Sequence, residues 1–113
     1  MAARFKLTVR TGGEVAKSRH ASLEAALLAL EVAADAAARG ARRAPTKVFR
    51  RELPPVQQVA ARLTISGPGG LRGGLDLRGD ASAEAWTGLL SKRLVEGRPG
   101  EAAVDALRRE LEA

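Results

Sequence analysis

Two stretches of this chain alternate apolar and polar residues, and each runs into a glycine-rich bend that returns it on itself. That pattern demands paired strands before anything else. In Phe5-Lys6-Leu7-Thr8-Val9-Arg10, Phe5, Leu7 and Val9 fall on one side of a strand and Lys6, Thr8 and Arg10 on the other. A two-residue turn at Gly12-Gly13 pairs Arg10 with Val15, Thr8 with Lys17 and Lys6 with Arg19. The same register sends Ala16, Ser18 and His20 to the apolar side. Ala61-Arg62-Leu63-Thr64-Ile65-Ser66 alternates likewise, bends through residues 67–74 (GPGGLRGG) and continues as Leu75-Asp76-Leu77. Matching the apolar sides opposes Leu63 to Leu75 and Ile65 to Gly73. Arg62 then lies across from Asp76, an opposite-charge pair that supports the register.

The bend GPGGLRGG invites comparison with phosphate-cradling loops, and it fails as one. A phosphate loop leads into a helix and carries a Lys-Ser or Lys-Thr pair; neither follows here. Gly67 and Gly69 fit the first two glycines of a dinucleotide fingerprint, but Arg72 stands where the third belongs. The glycines supply positive φ, or a bulge, between two strands.

Three helices are expected. The first is capped by Ser22 and ends before Gly40, with Leu23, Ala26, Leu27, Leu30, Ala34 and Ala37 along one face. Glu24, Glu31 and Asp35 form an acidic stripe, and Leu28 and Val32 lie on a further side. A second helix is expected over 82–96, burying Trp86, Leu90 and Leu94. A third runs from Pro99 to about Glu112 and carries Val104, Leu107 and Leu111. Residues 47–53 read as extended, an edge strand or a covering arm, stopped by Pro54-Pro55.

The order strand, glycine bend, strand, Ala-Ser, helix occurs twice. Leu7-Thr8 matches Leu63-Thr64, Ala21-Ser22 matches Ala81-Ser82, and Glu24-Ala25 matches Glu84-Ala85. The expectation is one α+β domain over 1–113, built from a duplicated strand–strand–helix unit. Repeat one covers about 4–39, a basic connector 40–55, repeat two about 56–97 and a C-terminal helix 99–112. Its sheet has four or five mainly antiparallel strands, with helices on one face.

Composition narrows the setting. The aromatics are Phe5, Phe49 and Trp86, so the core is aliphatic. No apolar run reaches the roughly 18 residues that a membrane span needs. The charged, alternating opening does not suit a signal peptide, and a chain without cysteine has no disulfide framework or thiolate metal site. The expected location is the cytoplasm.

The formal net charge is +6. Residues 1–20 hold five cations against Glu14, and residues 41–60 five against Glu52, whereas 21–40 and 101–113 are net acidic. Lys6, Arg10, Lys17 and Arg19 share the open side of the first hairpin, with Lys6 directly across from Arg19. Like charges opposed on a sheet repel, and a polyanion lying across them relieves the repulsion and releases counterions. Arg42, Arg43, Lys47, Arg50 and Arg51 extend the basic surface along the connector. The plain alternative is a solvated surface in an arginine-rich composition.

The chemistry for catalysis is sparse. His20 is the one histidine and sits at a strand end on the apolar side, a hydrogen-bonded structural position. Asp76 has Arg62, and Asp80 suits the approach to a helix. No serine stands in a Gly-x-Ser-x-Gly elbow. No metal or cofactor is expected. The strand–Gly-Gly–strand pattern followed by Ser-x-Glu-Ala resembles small sheet modules, among them those with which integrases hold DNA, and resembles antitoxin modules equally. It lacks diagnostic residues, so no functional position carries over. The reading is a non-catalytic protein that binds nucleic acid or a nucleoprotein through a cationic sheet face. The alternative is an assembly module that forms a homodimer through helix one, at Leu28 and Val32.

Overall fold

The structure is a computed structural model that describes residues 4–12, 14–43, 59–79, 82–88 and 92–112. The first alternating stretch forms β1 (Phe5–Thr11), which pairs antiparallel with β2 (Glu14–His20). Their register sets Lys6 against Arg19, Thr8 against Lys17 and Arg10 against Val15, as the turn length requires. Gly12 turns at a φ of 57°, a left-handed value that favours glycine.

Helix α1 (Leu23–Arg43) follows, its first turn capped by the Ser22 Oγ, which accepts the Ala25 N–H at 3.1 Å. It buries Ala26, Leu27 and Leu30 completely. Contrary to expectation the helix passes through Gly40. A glycine inside a helix costs about 1 kcal/mol relative to alanine, too little to end a long alanine-rich helix by itself. The extended segment expected at 47–53 lies outside the described residues.

The second hairpin consists of β3 (Val59–Ser66) and β4 (Arg72–Arg78), joined by a 3₁₀ turn at Pro68–Gly70. Leu63 opposes Leu75, Ile65 opposes Gly73 and Arg62 opposes Asp76. The bend between the strands is confined to residues 67–71, with Gly69 and Gly70 at φ of 73° and 76°, and Arg72-Gly73-Gly74 already belong to β4. The two hairpins join through β1 and β3, which run antiparallel with Leu7 beside Ile65 and Val9 beside Leu63.

The largest departure from the sequence reading comes next. The segment expected as a helix over 82–96 forms two strands, β5 (Ala83–Thr87) and β6 (Arg93–Leu94). β5 pairs along β4, with Ala85 beside Leu75 and Trp86 beside Gly74. Non-local pairing outweighs the modest helix preference of Ser-Ala-Glu-Ala-Trp, because β4 otherwise presents an unpaired edge. Among the described residues the sheet therefore has six antiparallel strands, not four or five, in the order β2-β1-β3-β4-β5-β6. The strand–strand–helix order is not repeated after the second hairpin, which removes the support for a duplicated unit.

Helix α2 (Ala103–Leu111) is shorter than expected, and Pro99-Gly100 is a turn before it. Glu101 ties this approach down: its carboxylate accepts hydrogen bonds from Arg109 and from the Arg98 backbone N–H. Both helices cover the same sheet face. Leu27, Leu30 and Leu107 join Leu7, Leu63, Ile65, Leu75 and Leu77 in one buried cluster. Gly73 lets α2 lie close, since a Cβ there would stand 3.1 Å from methyls of Leu107 and Leu111. Leu7, Ala61, Leu63, Ile65, Leu75 and Leu77 thus face the helices, and the positions alternating with them face away.

Candidate nucleic-acid interface

Alternation and register together determine what the uncovered face displays. Directly paired residues of antiparallel strands project from the same side, so the side chains fall into rows that cross the sheet. One row reads Arg19, Lys6, Ser66, Arg72 from β2 to β4. The next carries Lys17, Thr8, Thr64, Gly74 and Trp86, and the third Val15, Arg10, Arg62, Asp76 and Glu84. The uncovered face is therefore cationic over β2, β1 and β3, and becomes mixed over β4 and β5.

Lys6, Arg10, Lys17 and Arg19 come together here. Arg10, Lys17 and Arg19 are exposed and Lys6 is half-buried. None of the four meets a carboxylate among the described residues. Those four charges are left to solvent or to a partner. By contrast, the cations nearer β5 are engaged. Arg62 grips Asp76 with two hydrogen bonds, Nε to Oδ1 at 2.8 Å and Nη2 to Oδ2 at 3.1 Å. Lys92 donates to the same carboxylate, at Oδ2, and Arg78 pairs with Glu84 at 2.5 Å.

Asp76 is 1% exposed. Burial pushes its carboxyl pKa up, and the hydrogen bonds from Arg62 and Lys92 outweigh that, holding it below the ordinary value. The same contact raises the Arg62 guanidinium. A charge this well sheltered is structural: it fixes Arg62 through a bidentate pair.

Trp86 corrects a further expectation. It lies on β5 rather than on a helix, outside the apolar cluster, and projects from the uncovered face. It is nevertheless 2% exposed, with its Nε1 buried and unpartnered. The Arg72 guanidinium and the Lys92 ammonium lie 5.2 and 5.7 Å from the ring centre, close enough for cation–π attraction. Gly74 makes room for the ring, since any Cβ there would come within 3.0 Å of the indole. Trp86 is a platform for two cations rather than an open stacking surface.

Of the connector candidates, Arg42 and Arg43 belong to the end of α1, while Lys47, Arg50 and Arg51 lie outside the described residues. His20 shares a 2.8 Å hydrogen bond with the Ser18 hydroxyl at the end of β2. Asp80 and Leu90 are also outside the described residues, and Leu94 is exposed on β6 rather than buried. The sequence reading set Thr8 beside Lys6 and Arg10 but missed Arg62, Arg72, Thr64 and Ser66 as members of the face. The signal for Arg62, Thr64 and Ser66 was present in the alternation of residues 61–66; what it lacked was the pairing of β1 with β3.

On the helix side, β2 is the sheet edge and α1 leaves part of it uncovered. A groove of about 580 Å³ runs there, lined by residues that include Leu7, Val9, Ala16, Leu28 and Val32. Leu28 and Val32 are 60% and 63% exposed. Among the described residues no group of three His, Asp or Glu side chains is arranged to hold a metal ion, and no helix is long and apolar enough to cross a membrane. No family model, curated protein or solved structure matches this chain.

Proposed function

We propose that this protein is a non-catalytic nucleic-acid-binding module of the cytoplasm, which holds phosphate backbone against the uncovered face of its sheet. The observation that carries the proposal is the convergence of Lys6, Arg10, Lys17 and Arg19 on adjacent strands without carboxylate partners among the described residues. Four cations within a few strand spacings repel one another, and nothing described in the fold offsets that repulsion. Phosphates do, and they release counterions as they bind. The groups on this part of the face are guanidinium, ammonium and hydroxyl, which position a backbone without cleaving it.

The test is the salt dependence of binding. Four phosphate contacts predict a loss of affinity of roughly 100-fold between about 50 and 200 mM salt. A Lys6/Arg10/Lys17/Arg19→Ala variant is expected to keep the circular-dichroism spectrum of the parent and to lose binding to both DNA and RNA. Undiminished binding by that folded variant would count decisively against the proposal.

A second reading has its own observation, the exposed Leu28 and Val32 beside the apolar groove. A second copy of the chain seated there would bury both side chains and set two basic faces side by side. Light scattering at high concentration decides it. A dimer that Leu28→Asp and Val32→Asp dissolve supports this reading, and a monomer at every concentration removes it.

A further inference from the structure

The rows of the uncovered face have a spacing that bears on the kind of nucleic acid it fits. Lys6 and Arg10 lie four residues apart on β1, and Arg62 and Ser66 four apart on β3. At the rise of an extended strand this separates the Arg19–Lys6–Arg72 row from the Arg10–Arg62 row by roughly 13 Å. Between the two rows stand Lys17 and the small hydroxyl side chains of Thr8 and Thr64, directly paired, while Ser66 lies in the Lys6 row itself. The three hydroxyl residues are half-buried, and none makes a hydrogen bond through its hydroxyl to another described residue. Cations stand on both sides of the hydroxyls, Lys6, Arg19 and Arg72 on one side and Arg10 on the other, with Lys17 at the β2 end of the trough; this matches two phosphate strands with a hydroxyl-bearing floor between them.

Shape selects further. B-form DNA offers a major groove about 12 Å wide and 8.5 Å deep, which admits a helix or a two-stranded ribbon. A sheet of six strands, about 24 Å across, is too broad to enter it. The minor groove of an A-form helix is wide and shallow and displays 2′-hydroxyls, so a broad face reaches its floor. Single strands are held by stacking on open aromatic rings. Trp86, the aromatic that projects from this face, is closed off by burial and by its two cations.

Resting on the nucleic-acid reading above, we infer that the preferred ligand is double-stranded RNA, spanned across its minor groove. Lys6, Arg19 and Arg72 on one side and Arg10 on the other hold the opposing phosphate backbones, and Thr8 and Thr64 in the trough and Ser66 at its edge exchange hydrogen bonds with 2′-hydroxyls. Recognition is then by shape and sugar, and is indifferent to base sequence.

Fluorescence anisotropy with the full chain tests this, using a 20-base-pair RNA duplex, the DNA duplex of the same sequence and either RNA strand alone. The RNA duplex is expected to bind at least about tenfold tighter than the other two. A Thr8→Val/Thr64→Val/Ser66→Ala variant is expected to bring the RNA and DNA duplexes within about twofold while the salt slope is retained. A 2′-O-methylated RNA duplex, which stays A-form but loses its hydroxyl donors, is expected to weaken binding to the unaltered protein, a readout independent of any variant's folding. Equal affinity for the two duplexes, tighter binding of single strands, or a preference that survives the triple variant overturns this inference and leaves the cationic face intact. Failure to bind any of the three probes removes the nucleic-acid reading itself.

Discussion

Asp76 shows how one side chain connects the fold to the face. It sits in the polar row of β4, almost wholly buried, between Arg62 and Lys92. Its carboxyl titrates below its ordinary value, so the ion pairs stabilise the fold above about pH 4 and are lost as pH falls through the lower, folded-state value. Glu101, held by Arg109 and the Arg98 N–H, is lowered to about 2, and its contribution disappears between about pH 4.5 and 2 in the same direction. Thermal melts between about pH 2 and 6 should therefore show stability declining on the acid side, with Asp76→Asn flattening part of that decline. At neutral pH the same variant is expected to lose about 1–3 kcal/mol, since Arg62 and Lys92 then lack their shared carboxylate. Gly73 is a second sensitive position. Gly73→Ala drives a methyl into Leu107 and Leu111, and an overpacking loss of about 1–3 kcal/mol in urea unfolding is expected. An unchanged midpoint would show that α2 does not lie close on β4.

Among the elements, β5 most needs experiment, because its local sequence favours another state. Its tryptophan is the only one in the chain and is buried, so native emission should be blue-shifted. Ala85→Pro forces a proline ring into a strand paired on both sides, and the emission should move to the red with a loss of stability. A helix over these residues would keep Trp86 in the apolar cluster and would predict no dependence on β4. The two hairpins and α1 were legible from sequence because their information is local: alternation at 5–10 and 61–66, glycine turns of fixed length, a serine cap, and Arg62 matched to Asp76. The 82–96 segment was not, because its strands exist only by virtue of β4, and no pattern within Ser-Ala-Glu-Ala-Trp-Thr announces a distant partner. For the same reason the sequence showed the cations and Thr8 of one hairpin but not the face they share with Arg62, Arg72, Thr64 and Ser66. That face depends on β1 lying beside β3, a contact more than fifty residues apart in the chain.

For the whole molecule, the two faces of the sheet divide the work. One is closed by α1 and α2 over an aliphatic core, where Leu27→Ala, at a completely buried position, is expected to cost about 2–5 kcal/mol. The other is left to charge. A net charge of +6 by itself attracts polyanions in a diffuse way, so the account stands on where the cations are rather than on how many there are. The direct test compares two triple variants of equal charge change in the same binding assay. Lys6→Ala/Arg10→Ala/Arg19→Ala empties the uncovered face, and Arg39→Ala/Arg98→Ala/Arg108→Ala removes cations from α1, α2 and the loop before α2. The account predicts that the first variant loses RNA binding by at least about 100-fold while the second stays within a few-fold of the parent. Equal losses in the two variants would mean that overall charge, and no particular face, draws the partner.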